Sequence, residues 1–343
     1  NAIGWDKLQA ELAARRAKGE LVGAGFALFI EKSGLGPTDG AHVNVDTNGV
    51  VEVITGGASV GQGFETVVGQ VCADVLGADY RKVRVVHGKT ERIEFGIGAH
   101  ASRATVMTAN AVAAAAAKVR EKALDMASEL LQTPASELEI SEGVIFRKDA
   151  PSGPTITLGA VANALRPMAK TRGAREPGLS SDGWFNSEHQ VYPYGNQFAV
   201  VKIDERTGAV KIERYLIAYD VGRAINPMLV RGQILGGFAQ GLGGALLEEF
   251  LYDDRGEPLS VTFADYLMPT IAEVPPVEVL LAEDAPSPRN PLGIKGAGES
   301  GIAPVGAAIA SAVEDALQMP GLVRQLPLSP QRIKAILEAR QSA

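Results

Sequence analysis

The chain reads as an α+β protein of two similar lobes, each a mixed sheet whose glycine-rich turns lead into helices. Its 343 residues, 46% hydrophobic and 21% charged, supply enough apolar side chain for a sizeable core split between two lobes. A hairpin pattern recurs: Val43-Asn-Val-Asp46 with Gly49-Val-Val-Glu-Val53 in the first half, and Val201-Lys-Ile-Asp204 with Gly208-Ala-Val-Lys-Ile212 in the second. Each hairpin precedes a helix region carrying Gly-Gln, at Gly61-Gln62 and Gly232-Gln233.

Residues 5–18 predict a charged amphipathic helix, and Val22 to Ile30 a small apolar strand. His42 to Asp46 and Val50 to Thr55 alternate around Asn48-Gly49, the dipeptide that favours a tight hairpin turn. After the stretch Gly56 to Gly63, the apolar residues Phe64, Val67, Val68, Val71, Cys72, Val75 and Leu76 recur at three-and-four spacing, as on the buried face of a helix. Cys72 falls on that face with no basic neighbour to favour a thiolate, so it is read as structural. Lys82 to His87 predicts a strand, Gly96 to Arg103 leads into an alanine-rich helix through about 132, and Leu138 to Phe146 predicts a second hairpin.

Residues 150–190 mix Pro, Gly, Ser and Asp with little periodicity and read as a join. The expected division is therefore a first lobe over 1–150, a connecting segment over 151–195 and a second lobe over 196–343. The second lobe opens with a strand at Phe198 to Asp204 and a long one from Ala209 to Asp220. Arg231 to Gly244 then carries six glycines in a helical stretch, although each costs about 1 kcal/mol against alanine in a helix interior. Either another helix packs tightly there, or a bulky ligand lies beside Gln240.

Composition excludes several functions. A net charge of −7 argues against a nucleic-acid surface and an anionic membrane. One cysteine rules out a disulfide framework, a cysteine-rich zinc site and an iron–sulfur cluster held by this chain alone. No apolar run reaches membrane-spanning length and no secretory signal opens the sequence, so a cytoplasmic location is the default expectation. Asn1 in place of Met suggests a processed, proteolysed or incomplete chain. His87-Gly88-Lys89-Thr90 ends like a phosphate-binding loop, but Val83 stands where its first glycine belongs. The four histidines lack zinc spacing, and no Gly-x-Ser-x-Gly elbow is present. No metal ligand set is expected.

The most informative segment is Asn290 to Pro304, which sets Glu299 on a turn with Gly296, Gly298 and Gly301 just ahead of an apolar helix. An acid there either favours the positive end of that helix or takes part in chemistry. Similar amide-rich turns at Gly61-Gln62-Gly63 and Ala101-Ser102-Arg103 suit a large anionic ligand. Any metal would then arrive already held by its own organic ligand.

The ordered series Gly61-Gln-Gly-Phe-Glu-Thr66, Ala101-Ser-Arg103, Tyr192-Pro-Tyr-Gly195, Asp220-Val-Gly-Arg-Ala-Ile-Asn-Pro227, Gly232-Gln233, Gly237-Phe-Ala-Gln-Gly241 and Pro291 to Ser300 resembles the molybdenum-binding subunit of the xanthine dehydrogenase/aldehyde oxidase family. The resemblance runs from about residue 20 to 320 and covers only the C-terminal half of that subunit. It implies the molybdopterin-binding fold of the xanthine dehydrogenase type and a molybdopterin cofactor, with the cytosine dinucleotide form open. It implies cofactor contacts from Gln62, Gly63, Ala101, Ser102, Arg103, Gln240, Lys295, Gly296 and Gly298.

By the same resemblance Glu299 is the general base. It takes the proton of a Mo–OH group, whose oxygen attacks an electrophilic carbon of a nitrogen heterocycle or an aldehyde while hydride passes to a sulfido ligand. Electrons would leave through a [2Fe-2S] subunit and a FAD subunit. The implied assembly is a hetero-oligomer whose further partner is the N-terminal-half molybdenum subunit, with this chain either a separately encoded subunit or a cleaved piece. Phe64, Lys89, Ala99 and Ala104 depart from the family pattern around the cofactor turns. The alternatives are a non-catalytic assembly subunit and a carbon monoxide dehydrogenase-type enzyme.

Overall fold

The computed structural model describes residues 2–341. The chain opens with α1 (Trp5–Arg16) and β1 (Leu21–Ile30), then the hairpin of β2 (Thr38–Val45) and β3 (Val51–Thr55). Helix α2 (Phe64–Leu76) and β4 (Val83–Val86) follow, then a π-helical turn, Ala104–Ala109, that runs directly into α3 (Asn110–Leu130). Next come β5 (Leu138–Ser141), β6 (Val144–Arg147), β7 (Ile156–Thr157), α4 (Leu158–Ala164) and β8 (Leu179–Asn186). The remainder comprises β9 (Tyr194–Ile203), β10 (Val210–Asp220), α5 (Pro227–Leu246), β11 (Val277–Ala282), α6 (Val305–Leu317) and α7 (Pro330–Gln341).

Two four-stranded mixed sheets organise these elements, in the orders β4-β3-β2-β8 and β1-β9-β10-β11, with β5-β6-β7 as a small third sheet. In each large sheet one pair is parallel, β3 with β4 and β10 with β11. Both expected hairpins form, with Val45 opposite Val51 and Ile203 opposite Val210.

Strand pairing cuts across the expected boundaries at 150 and 195. β1, at the start of the chain, pairs along its whole length with β9, from Leu21 opposite Ile203 to Ile30 opposite Tyr194. β8 lies inside the expected connecting segment yet pairs with β2 in the first sheet. Its sequence, Leu-Ser-Ser-Asp-Gly-Trp-Phe-Asn, carries little apolar alternation because α3 approaches it backbone to backbone. A Cβ on Gly183 would lie 2.3 Å from Ala111 O and Ala115 N.

The first core fills the space between sheet β4-β3-β2-β8 and helices α2 and α3, with Val43, Val53, Val68, Val112 and Val119 fully buried. Cys72 belongs to it, and burial pushes its thiol up to about 12. The second core joins sheet β1-β9-β10-β11 to α5, α6 and α7 through Ile217, Ile234, Phe238, Ile309 and Ile333. Fully burying a side chain of this size contributes about 1.5–3 kcal/mol. α6 rides on β1 in direct backbone contact, since a Cβ on Gly23 or Gly25 would fall 2.2 Å from Ala316 N or Ala312 N. On the opposite face α1 covers Val22, Phe198 and Leu216 with Leu8 and Leu12.

The two cores meet where Asn110, in the first turn of α3, donates to Asn290 Oδ1 at 3.2 Å and accepts from Leu292 N at 3.3 Å. Asn290 in turn clips its own loop by accepting from Ile294 N and donating to Ile294 O. Asn226, the N-cap of α5, reaches α2 by donating to Gln70 Oε1 at 3.0 Å. Asn110 and Asn290 hold the loop that leads to Glu299 against the start of α3, and Asn226 joins α5 to α2.

The glycines of α5 bear out close packing at some positions and leave others open. Gly237 and Gly241 face the turn after Glu299, where added Cβ atoms would lie 2.9 Å from Gly301 Cα and 2.6 Å from Val305 Cγ2. Gly232, Gly236 and Gly244 have nothing within 4 Å, and with exposed Gln240 they form an open stripe at four-residue spacing.

Candidate active-site cleft

A cleft of about 270 Å³ opens where the loop before α2, the π-helical turn, the N-terminal half of α5 and the Glu299 turn converge. It gathers Gln62, Ser102, Arg103, Lys295, Gly296, Gly298 and Glu299. Gln233 also lines it, whereas Gln240 stands outside on the open stripe of α5.

Glu299 is exposed at the cleft, and its backbone is anchored. Its N–H donates to Ser102 Oγ at 3.1 Å, a contact that spans 197 residues of sequence. The glycines beside it make that approach possible. A Cβ on Gly296 would lie 2.5 Å from Ser102 Cβ and 2.7 Å from Ser33 Cβ, and one on Gly298 would lie 3.2 Å from Ser102 Oγ. Gly296 N–H also donates to Ser33 Oγ at 3.1 Å.

Ala101 and Ser102 both adopt left-handed backbone, φ 48° and 47°. Among the described residues their N–H groups meet no acceptor, so two adjacent donors remain for an anionic oxygen. Ala101 O is held by Gly34 N at 3.2 Å. The π-helical turn that follows is a feature frequent at functional sites.

Arg103 differs from its expected role. Its guanidinium is fully buried, donating to Leu35 O, Gly98 O and Thr38 O at 2.7–3.1 Å and lying 3.3 Å from Asp39 Oδ2. Asp39 also accepts from Thr108 Oγ1 at 2.7 Å. The side chain therefore shapes the loop 98–103 from beneath and presents no free donor fork to a ligand.

Lys295 is likewise engaged. Its ammonium pairs with buried Asp220 at 2.6 Å and lies 4.6 Å above the Tyr194 ring. Gln62 folds onto its own loop, donating to Ala58 O and accepting from Val60 N. Gly63 caps α2 at φ 80°, and a Cβ there would lie 2.7 Å from the Leu229 methyls.

Several residues that sequence reasoning passed over support the turn. Tyr219 OH meets Gly296 O and lies 2.7 Å from Ser300 Oγ, and Ser300 meets Glu31 Oε2. Gln197 donates to Gly301 O at 2.9 Å and accepts from Tyr215 OH at 2.6 Å. Burial pushes both phenols well above their usual range, so they remain protonated donors. A weak signal was available: Tyr215 and Tyr219, four apart on β10, share one face.

Among the described residues no three His, Cys, Asp or Glu side chains come together to hold a metal. The unpaired N–H groups of Ala101 and Ser102, on the loop that borders the cleft, fit an anionic oxygen of a large cofactor.

Comparison with known proteins agrees with that geometry. A family model for the molybdopterin cofactor-binding domain matches residues 1–275. The chain belongs to this family, the molybdenum-binding subunits of the xanthine dehydrogenase type. It is 42% identical over 318 residues to the 6-hydroxypseudooxynicotine dehydrogenase complex subunit gamma of Paenarthrobacter nicotinovorans, covering 93% of this chain and 40% of that one. The nicotine 6-hydroxylase large subunit of the same organism is 34% identical, again over 93% of this chain and 41% of that one. Among solved structures, quinoline 2-oxidoreductase from Pseudomonas putida 86 superposes with TM-score 0.90 at 34% identity, covering 98% of this chain and 44% of that one. Reconstituted CO dehydrogenase from Oligotropha carboxidovorans gives 0.91 at 30% identity, covering 99% and 44%. The chain thus spans about two fifths of the length of the relatives it matches.

Proposed function

We propose that this chain forms one wall of a molybdenum hydroxylase active site, with Glu299 as the general base. The observation that carries this reading is an exposed carboxylate on a turn whose backbone is fixed from the cleft side and from beneath. Such an acid is free to take a proton while its reach is constrained, which is what proton transfer in a shaped site requires. The molybdopterin group, free or as its cytosine dinucleotide, supplies the transferred oxygen and accepts two electrons when bound.

The residues of this chain do the rest. Ala101 and Ser102 offer backbone N–H groups to an anionic part of the cofactor, and Gln62, Gly296 and Gly298 line its cleft, with Gly63 at the start of α2 and Gln240 on α5 outside that lining. Gln62 can serve by releasing its loop contacts. Arg103 and Lys295 act through the loops they brace, as their charges are already paired. A carboxylate oxygen of Glu299 would take up the proton that the bound cofactor's oxygen gives up.

A nitrogen heterocycle is the favoured substrate class, ahead of an aldehyde, because relatives at 42% and 34% identity carry names for nicotine derivatives and quinoline. Likeness to CO dehydrogenase supports a second reading. For that chemistry this chain would supply no copper thiolate, since Cys72 is buried with its thiol pushed up to about 12.

Partner chains complete the proposal: an N-terminal-half molybdenum polypeptide closing the cleft, a [2Fe-2S] subunit and a FAD subunit in the cytoplasm. Phe26, Leu28 and Ile30 stand exposed on edge strand β1, and Phe263 and Ile271 are 82% and 96% exposed in the loop before β11. Apolar surface of this extent marks protein contact sites. The metal and chain content of the intact complex tests the whole reading. Molybdenum, iron and flavin together with two or three further chains are expected, and an isolated metal-free monomer would overturn it.

A further inference from the structure

We infer that Tyr219, Ser300 and Glu31 form a buried clamp that positions Glu299, so that the base is aimed from behind its turn and not by contacts to its own carboxylate. The inference rests on Glu299 being the base for its effect on turnover. The clamp itself can be read independently of turnover.

Consecutive residues of this turn face opposite ways. Glu299 is exposed at the cleft, while Ser300 is only 1% exposed and lies beneath it. Ser300 has one hydroxyl proton, which it gives to Glu31 Oε2, and its oxygen accepts from Tyr219 OH at 2.7 Å. The same phenol meets Gly296 O, three residues before Glu299. The single proton of Tyr219 is shared between Gly296 O and Ser300 Oγ, so the phenol sits against both ends of a short arc and ties it to β10.

Glu31 is itself fixed. It immediately follows β1, and its N–H donates to Pro193 O at 3.0 Å. Its other oxygen, Oε1, is buried and meets no donor among the described residues. Ser300 is thus the donor that orients this carboxyl, and an uncompensated buried acceptor makes that one bond costly to lose. Tyr215 supplies a parallel hold two residues after Glu299, through Gln197 to Gly301 O.

Two tyrosines four residues apart on one strand therefore grip the turn on either side of the base. Ser102 holds its N–H from the cleft. Ser300, Tyr219 and Glu31 are positioning residues: none reaches the cleft surface that Glu299 occupies.

The test uses Tyr219→Phe, Ser300→Ala, Glu31→Ala and Glu31→Gln in the assembled complex, with amide hydrogen exchange over 296–301 measured beside steady-state kinetics. In Tyr219→Phe, Ser300→Ala and Glu31→Ala, kcat should fall on the order of 10- to 100-fold, as expected for a base misplaced by about 1 Å, with KM and molybdenum content little changed. Exchange over 296–301 should accelerate in the same three variants. Glu31→Gln keeps an acceptor for Ser300 and should retain most of the wild-type values. Wild-type exchange in Ser300→Ala and Tyr219→Phe would overturn the clamp, as would failure of Glu31→Gln to differ from Glu31→Ala. Faster exchange with undiminished turnover would overturn the clamp's role in aiming the base, and Glu299→Gln, measured beside it, reads the base assignment separately.

Discussion

Ser102 Oγ accepts the backbone N–H of Glu299 at 3.1 Å, tying the turn before the first lobe's long helix to the turn that carries the candidate base. The bond leaves the carboxylate of Glu299 free and fixes only where it starts. Ser102→Ala removes the acceptor at a cost of about 0.5–1.5 kcal/mol. Turnover of the complex should drop while molybdenum stays bound, which kinetics with metal analysis will show. Gly296→Ala should be more damaging, because its Cβ would fall 2.5 Å from Ser102 Cβ.

The glycines of α5 make opposite predictions one residue apart. Gly237→Ala places a Cβ 2.9 Å from Gly301 Cα and should destabilise by about 1–3 kcal/mol. Gly236→Ala meets nothing within 4 Å and should stabilise the chain by up to about 1 kcal/mol. Denaturant titration separates the two. If the open stripe faces cofactor or a partner chain, Gly236→Ala should also lower molybdenum loading despite the gain in stability.

Arg103 is predicted to matter through folding. Arg103→Met leaves Asp39 buried without its cation and without the donors that brace residues 98–103. A loss of about 3–5 kcal/mol is expected by chemical denaturation. The double variant Arg103→Met with Asp39→Asn should recover part of it, and a fully additive result would contradict the pairing.

A pH response is expected from the cluster that ties α1 to the second sheet. Hydrogen bonds from Arg15 and then Lys202 hold the Glu20 carboxyl down from 4.5 to about 2. Arg15 also keeps Glu213 below its ordinary range. Because the folded value is depressed, this contribution is fully present above about pH 4.5 and is lost as pH falls toward 2. Melting temperature should decline over that window in the wild type and less steeply in Glu20→Gln. Equal slopes would show that the cluster contributes nothing.

Much of this was legible in the sequence because it is local. Periodicity located α2, alanine content marked α3, Asn48-Gly49 marked the first hairpin, and glycines around Glu299 marked a close approach. Long-range pairing was not legible: nothing in Leu21 to Ile30 says that its neighbour is β9, and Ser180, Ser181 and Asp182 hide β8. The buried pairing of Arg103 and Lys295 was not legible for a related reason. A basic residue in a cofactor motif looks free until the carboxylates that neutralise it, Asp39 and Asp220, are brought against it by the fold.

Replacing Glu299 by Gln tests the assignment of the base most directly, since it keeps the size and the backbone bond to Ser102 while removing the proton acceptor. In the intact complex turnover should fall by at least about 10²-fold with molybdenum content unchanged. Wild-type turnover in Glu299→Gln would contradict the assignment.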